Sequence, residues 1–166
     1  PLKASAEQVA AALDEAGIAC EPHPWLPGCF LVSGTGNLEA LPLFQSGAVY
    51  VQDAAAKLAV LASGAAPGMR VLDCCAAPGG KSSQLAAALQ GRGVLVSNEY
   101  VAARAEILKS NLERMGVPNA VVLNETPARI AEALPEFFDR VLVDAPCSGE
   151  GMFRKEPVAR QQHCQA

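Results

Sequence analysis

The sequence is short of positive charge: 13 lysines and arginines stand against 17 aspartates and glutamates, for a net charge of −4 and a pI near 5.2. Gripping nucleic acid by neutralising phosphates needs the opposite balance, so strong RNA or DNA binding by these residues alone is not supported. No stretch of uninterrupted apolar residues is long enough to span a bilayer, and no charged start followed by an apolar core resembles a signal peptide, so the expected compartment is the cytoplasm. Internal repeats and low-complexity tracts are lacking too. The six cysteines do not read as a disulfide framework, because Cys74 and Cys75 are adjacent on a predicted strand, where they point to opposite faces. Reduced thiols are expected. There is no initiator methionine before Pro1, and Gln165-Ala166 falls inside a helical-looking segment, so the expectation is a fragment. What is present is ample apolar material: 51% hydrophobic residues and a mean hydropathy of +0.19 suffice for one globular core.

The chain is organised around Asp73-Cys74-Cys75-Ala76-Ala77-Pro78-Gly79-Gly80-Lys81. The apolar Val71-Leu72 precedes it and an alanine-rich stretch to Leu89 follows, which reads as strand, tight glycine turn and helix start. In an open α/β sheet such a turn sits at a strand's carboxyl end, where the next helix offers amides without intrahelical partners. A nucleotide-like ligand is the first expectation.

Along the chain, Ser5 and Gln8 fit a capping box for a first helix containing Val9 and Leu13 and closed by Gly17. Cys20 to Pro42 is loop-rich, with one short strand at Cys29 to Val32. Cys20, His23 and Cys29 lie close together, but a fourth ligand is missing and the spacing matches no common zinc site, so no metal is expected. Ala48 to Val51 reads as a strand, and Asp53 caps a helix from Ala54 to Ser63 that Gly64 stops. Core strands follow at Arg70–Cys74, Gly93–Ser97, Ala120–Leu123 and Arg140–Asp144. Helices lie between them at Ser82–Leu89 and Val101–Met115, the latter with Ile107, Leu108, Asn111, Leu112 and Met115 on one stripe, and from Thr126-Pro127 to Leu134. Strands alternating with helices imply an α/β fold: a parallel sheet with right-handed crossovers, flanked by helices. Residues 1–46 are expected to form a small α+β extension and residues 47–166 the core, incomplete at its C-terminus.

Three features bear on chemistry. Glu99 ends the second core strand about twenty residues after the glycine turn, where an acid accepts ribose hydroxyls. Gly80-Lys81-Ser82 with Val141-Leu142-Val143-Asp144 resembles a P-loop and its magnesium acid, but a P-loop needs glycine at the position held by Cys75, and Pro78 is too stiff for the phosphate wrap. An NTPase therefore remains only the alternative, beside a non-catalytic cofactor-binding or RNA-docking module. Cys147 lies in the loop Asp144-Ala145-Pro146-Cys147-Ser148-Gly149 beyond the fourth strand, a place for a reactive thiol beside the first turn. Arg154, Lys155 and Arg160 form a basic cluster near that crevice, which fits RNA phosphates or a solvated helix face equally.

Asp73 to Lys81, Asn98-Glu99, and Asp144 to Lys155 with its Gly-Glu-Gly-Met-Phe-Arg-Lys ending resemble the RNA cytosine-C5 methyltransferases of the Sun and nucleolar-protein group, most of all their bacterial ribosomal RNA branch. The likeness runs from about Gly47 to the end, and the part before it is similar to that family's N-terminal extension. The resemblance implies a Rossmann-like fold that binds S-adenosylmethionine and acts on RNA, ribosomal or transfer. Cys75, Ala76, Ala77, Pro78, Gly79, Gly80 and Lys81 would wrap the cofactor's methionine end and ribose, and Glu99 would take the ribose hydroxyls. Asp144 would stand near the methionine amine or the target base. The family's acid near the adenine falls at Asn124-Glu125-Thr126, with Thr126 in the place of the usual aspartate and the contacting residue left open. Cytosine C5 is a poor nucleophile, so the family's chemistry adds a thiolate at C6, lets C5 take the methyl group, then releases the C5 proton and the thiol. Cys147 resembles the cysteine that aids product release. The nucleophile belongs to a Thr-Cys segment that this chain does not contain, since Cys164 follows His163, so the fragment alone is expected to be inactive.

Overall fold

The computed structural model describes residues 3–33 and 37–145. Ser5 ends the leading extended chain by capping α1 (Ala6–Glu15): its hydroxyl accepts from the Gln8 amide while the Gln8 side chain accepts from the Ser5 amide. Two amides that the helix cannot satisfy are thereby paired, and Val9 and Leu13, four apart, form the buried side. β1 (Ala19–Pro22) and β2 (Phe30–Ser33) pair antiparallel, with Cys20 opposite Val32. β1 is not evident in the sequence because Pro22 reads as a breaker, yet proline is tolerated at the end of an edge strand. A 3₁₀ turn at Leu38–Ala40 leads to the short α2 (Pro42–Gln45), opened by proline at its first position.

Ala48–Val51, expected as a strand, is not one. The amides of Ala48 and Val49 both return to the Leu43 carbonyl to close α2, so they are unavailable for a ladder. Tyr50 packs instead beside Phe44 and the cluster formed by Ala76, Leu108, Leu112 and Met115. α3 (Ala54–Ser63) begins where Asp53 Oδ1 accepts from the Ala55 amide and ends at Gly64 in the left-handed region.

Beyond it β3 (Arg70–Asp73), α4 (Gly80–Leu89), β4 (Val94–Asn98), α5 (Ala102–Arg114), β5 (Ala120–Leu123), α6 (Pro127–Ala133) and β6 (Arg140–Leu142) alternate. The four strands are parallel in the order β5-β4-β3-β6. Register puts Val71 beside Leu95 and Leu72 beside Val96. Because side chains alternate across a strand, the first pair faces Val60 of α3 and Leu85 and Leu89 of α4, while the second faces Ile130 of α6 and Phe138. Each such buried aliphatic contributes about 1.5–3 kcal/mol. The sheet is thus covered on both sides, as the α/β reading requires.

Three details depart from expectation. β3 stops at Asp73, so Cys74 and Cys75 form a turn rather than opposing positions on a strand. β6 stops at Leu142 because its ladder with β3 ends at the Asp73–Leu142 pairing, which leaves Val143 and Asp144 in coil. On α5 the buried positions are Ala105, Leu108 and Leu112, whereas Ile107 is 52% exposed, one residue and therefore about 100° off that stripe.

The first part of the chain is held to the sheet from α5. Arg114 donates to the Phe44 carbonyl and lies 4.3 Å over the Phe44 ring, and Lys3 Nζ donates to the carbonyls of Ser46 and Arg114.

Candidate functional site

The order of the strands locates the site. From β3 the chain steps outward through β4 to β5, then returns to lay β6 on the other side of β3. At such a reversal the connections leave in opposite directions, and a crevice opens outside the carboxyl ends of the two strands on either side of it, β3 and β6. Here those ends are Asp73 and Leu142.

Asp73 is fully buried. One carboxylate oxygen accepts from Ser82 Oγ at 2.7 Å, and Ser82 Oγ lies 2.8 Å from Ser97 Oγ, which links β3, α4 and β4. The other oxygen has no partner. Burial pushes this carboxyl up to about 6, against the opposing effects of Ser82 and Lys81. A charge in that position is costly, and it stands directly beneath the turn.

The turn from Cys74 to Gly79 is pinned by its carbonyls and amides. Ala76 donates to the Asn98 carbonyl and Gly79 to the Ala76 carbonyl, both at 2.8 Å. Arg104 and Asn111 of α5 donate to the carbonyls of Ala77 and Pro78. Gly79 has φ +112°, a region closed to most side chains, and a Cβ there would stand 3.3 Å from Leu108 Cδ1. α4 begins at the next residue with no side-chain cap, so its leading amides have no partner within the helix. Burial pushes the thiols of Cys74 and Cys75 up, which keeps them protonated and poorly nucleophilic.

A cavity of about 210 Å³ lies against this turn. Cys75, Ala76, Ala77, Pro78, Gly80 and Lys81 form one side; residues 50–52 form another, and Asp144 closes it from beyond β6. Lys81 Nζ and Asp144 Oδ2 are 2.6 Å apart across the mouth, with the Asp144 side chain 60% exposed. At that exposure the pair adds about 1 kcal/mol or less to stability.

Glu99 stands outside the cavity lining, one residue past β4 and only 5% exposed. Its Oε1 accepts from the Val101 amide at 3.0 Å, and its Oε2 lies 3.6 Å from Arg104 Nη2. The neighbouring Asn98 ties three strand ends together: Nδ2 donates to the carbonyls of Cys74 and Glu125, and Oδ1 accepts from the Glu125 amide. Past β5, Asn124 Nδ2 donates to the carbonyls of Glu99 and Tyr100, Glu125 pairs with Arg129 at 3.1 Å, and the Thr126 hydroxyl caps α6 by accepting from Arg129. The Thr126 hydroxyl is therefore already engaged in the helix cap.

Cys147, Cys164, Arg154, Lys155 and Arg160 lie outside the described residues. Cys20 and Cys29 are free thiols, and His23 stacks edge-on against Trp25 at 4.9 Å while its Nδ1 accepts from the Trp25 amide. Among the described residues no three His, Cys, Asp or Glu side chains are grouped to hold a metal ion. Two wall residues, Tyr50 and Gln52, carry no sequence signal for a site. One sits in an apolar run that mimics a strand and the other reads as the approach to a helix.

Known proteins resemble this chain in sequence and in fold. The sequence profile described as 16S rRNA methyltransferase RsmB/F matches residues 60–166. Ribosomal RNA small subunit methyltransferase F of Vibrio atlanticus is 43% identical over 176 residues, covering 95% of this chain and 34% of that protein. This chain thus spans about a third of the length of the curated relatives it matches. Among solved structures, a methyltransferase homologue from Pyrococcus horikoshii superposes with a TM-score of 0.81 at 28% identity, covering 99% of this chain and 56% of that one. NSun6 from Pyrococcus horikoshii, solved with SFG, superposes with a TM-score of 0.64 at 26% identity, covering 73% of this chain and 32% of that one.

Proposed function

Because the chain belongs to the 16S rRNA methyltransferase RsmB/F family, we propose that its crevice holds S-adenosylmethionine and that the whole protein methylates C5 of a cytidine in ribosomal RNA. The observation that carries this reading is the placement of the glycine turn, Glu99 and Asp144 after the three adjacent strands β3, β4 and β6, with the turn and Asp144 lining one cavity.

The residues present fit the cofactor. The wall holds an amide with both ends unpaired, at Gln52, and a glycine at 80 whose missing Cβ lets Gln52 and Tyr50 approach the start of α4. The cofactor supplies an electrophilic methyl group on a sulfonium. Residues 75–81 are assigned to its methionine end and ribose, using main-chain amides that α4 leaves unpaired. Glu99 is assigned to the ribose hydroxyls: its carboxylate is buried and held by Val101 and Arg104, so little side-chain freedom remains to be lost on binding. Asp144, with Lys81 as its counter-ion, is assigned to the methionine amine or the target base. Cys147, three residues further on, is assigned to product release. The nucleophilic thiolate is assigned to a Thr-Cys segment of the whole protein, because no Thr-Cys pair occurs in this sequence. The raised thiols at Cys74 and Cys75 do not suit that role.

The whole protein, incubated with S-adenosylmethionine and ribosomal RNA carrying tritium at cytosine C5, is expected to release tritium to water. No release, with methyl groups found elsewhere in the RNA, would contradict C5 chemistry.

A further inference from the structure

Gln52 lies in the extended segment between α2 and α3 and forms part of the cavity wall that also contains Gly80 and Lys81. Its Oε1 and Nε2 are both shielded from solvent, and neither has a hydrogen-bond partner. Among the described residues Asp73, Gln84 and Asn119 each leave one oxygen in that condition, whereas Gln52 leaves a donor and an acceptor together. An unmet buried polar group is costly, which makes a bare amide at a cavity wall poor architecture unless a ligand completes it.

The surroundings keep that amide available. A Cβ on Gly80 would lie 2.8 Å from Gln52 Oε1 and 2.9 Å from Tyr50 Cε1, closer than a real side chain stands. Glycine at 80 thus lets Gln52 rest against the first turn of α4. The same cavity carries one cation and one anion, Lys81 and Asp144, 2.6 Å apart. A wall with a positive group, a negative group and a neutral amide that both donates and accepts is complementary to an α-amino acid zwitterion. An ammonium donates to Oε1 and Asp144, and a carboxylate accepts from Nε2 and Lys81. An uncharged nucleoside would leave this set largely unused.

We propose that Gln52 is a binding residue for the amino-acid end of S-adenosylmethionine, contacting its ammonium and carboxylate groups. This rests on the cofactor reading of the same cavity. It gives the site a means of telling the intact cofactor from adenosine compounds that lack the amino acid.

The test is calorimetric titration of the whole chain, wild type and Gln52→Leu, with S-adenosylmethionine and with 5′-methylthioadenosine, which lacks the amino-acid end. The expected result is a loss of about tenfold or more in affinity for S-adenosylmethionine and none for 5′-methylthioadenosine, the size expected when a ligand's hydrogen bonds are removed. The ligand-free variant should melt at the same temperature or higher, because leucine buries no unpaired amide. Gln52→Glu, which keeps the shape and the acceptor but loses the donor facing a carboxylate, should also weaken S-adenosylmethionine selectively. Equal losses for both ligands, or no loss for either, would overturn the assignment. Wild-type protein that binds neither ligand would overturn the cofactor reading itself, so the two failures are distinguishable.

Discussion

Replacing Asp73 with asparagine should stabilise the ligand-free protein at neutral pH and leave it nearly unchanged in acid. The folded carboxyl sits at about 6 against an ordinary 3.8, because burial disfavours its charge more than Ser82 and Lys81 favour it. Between these values the native chain holds a proton that the unfolded chain has already lost, so wild-type stability falls as pH rises through the window. The gap is worth about 3 kcal/mol. Asparagine keeps the volume and an acceptor for Ser82 Oγ, but it carries no charge to desolvate. Urea unfolding from pH 4 to pH 8 should therefore show the two proteins close at pH 4, with Asp73→Asn ahead by up to about 3 kcal/mol at pH 8. Asp139 does not confuse the result. Its hydrogen bonds with Arg70 hold its carboxyl down to about 2, so its contribution is lost only as pH falls below 4. A difference between the proteins that stays constant across pH, or a variant weaker than wild type at pH 8, would refute the desolvation argument.

Asn98→Ala removes the side chain that pairs with the Cys74 carbonyl and with both main-chain groups of Glu125. A loss of about 2–4 kcal/mol is expected in urea unfolding, from orphaned main-chain groups at about 1–3 kcal/mol each, some of them rescued by water. Leu108→Ala should cost about 3–4 kcal/mol by the same measurement, since Leu108 is fully buried against Ala76, Leu112 and Met115. It also withdraws the side-chain atom that stands 3.3 Å from where a Gly79 Cβ would be, so it should weaken S-adenosylmethionine binding in calorimetry by loosening the turn.

The elements readable from sequence are those whose signals are local. Ser5 and Gln8 announce α1, Asp53 and Gly64 bracket α3, and Thr126-Pro127 opens α6, because each cap is satisfied within its own turn. The glycine turn and the strands beside it are legible for a similar reason: a buried aliphatic run followed by Pro-Gly-Gly has few other ways to fold. β1 is hidden because its pairing with β2 is decided by a partner eight to fourteen residues away, while Pro22 argues locally against it. Ala48–Val51 fails in the opposite sense, having strand-forming residues whose amides are claimed by α2. Within the site, residues 75–81, Glu99 and Asp144 stand out by position at strand ends. Gln52 does not, because its significance lies in what it lacks once folded, a partner for either end of its amide.

The central claim is that the crevice recognises S-adenosylmethionine through groups at three strand ends. Its most direct test is calorimetric titration of this chain with S-adenosylmethionine and, separately, with ATP and magnesium, repeated on Glu99→Ala. Saturable binding of S-adenosylmethionine alone, weakened by about tenfold or more when the Glu99 carboxylate is removed, is the predicted result. Binding of ATP with magnesium in its place would contradict the account and return the glycine turn to the phosphate-binding alternative.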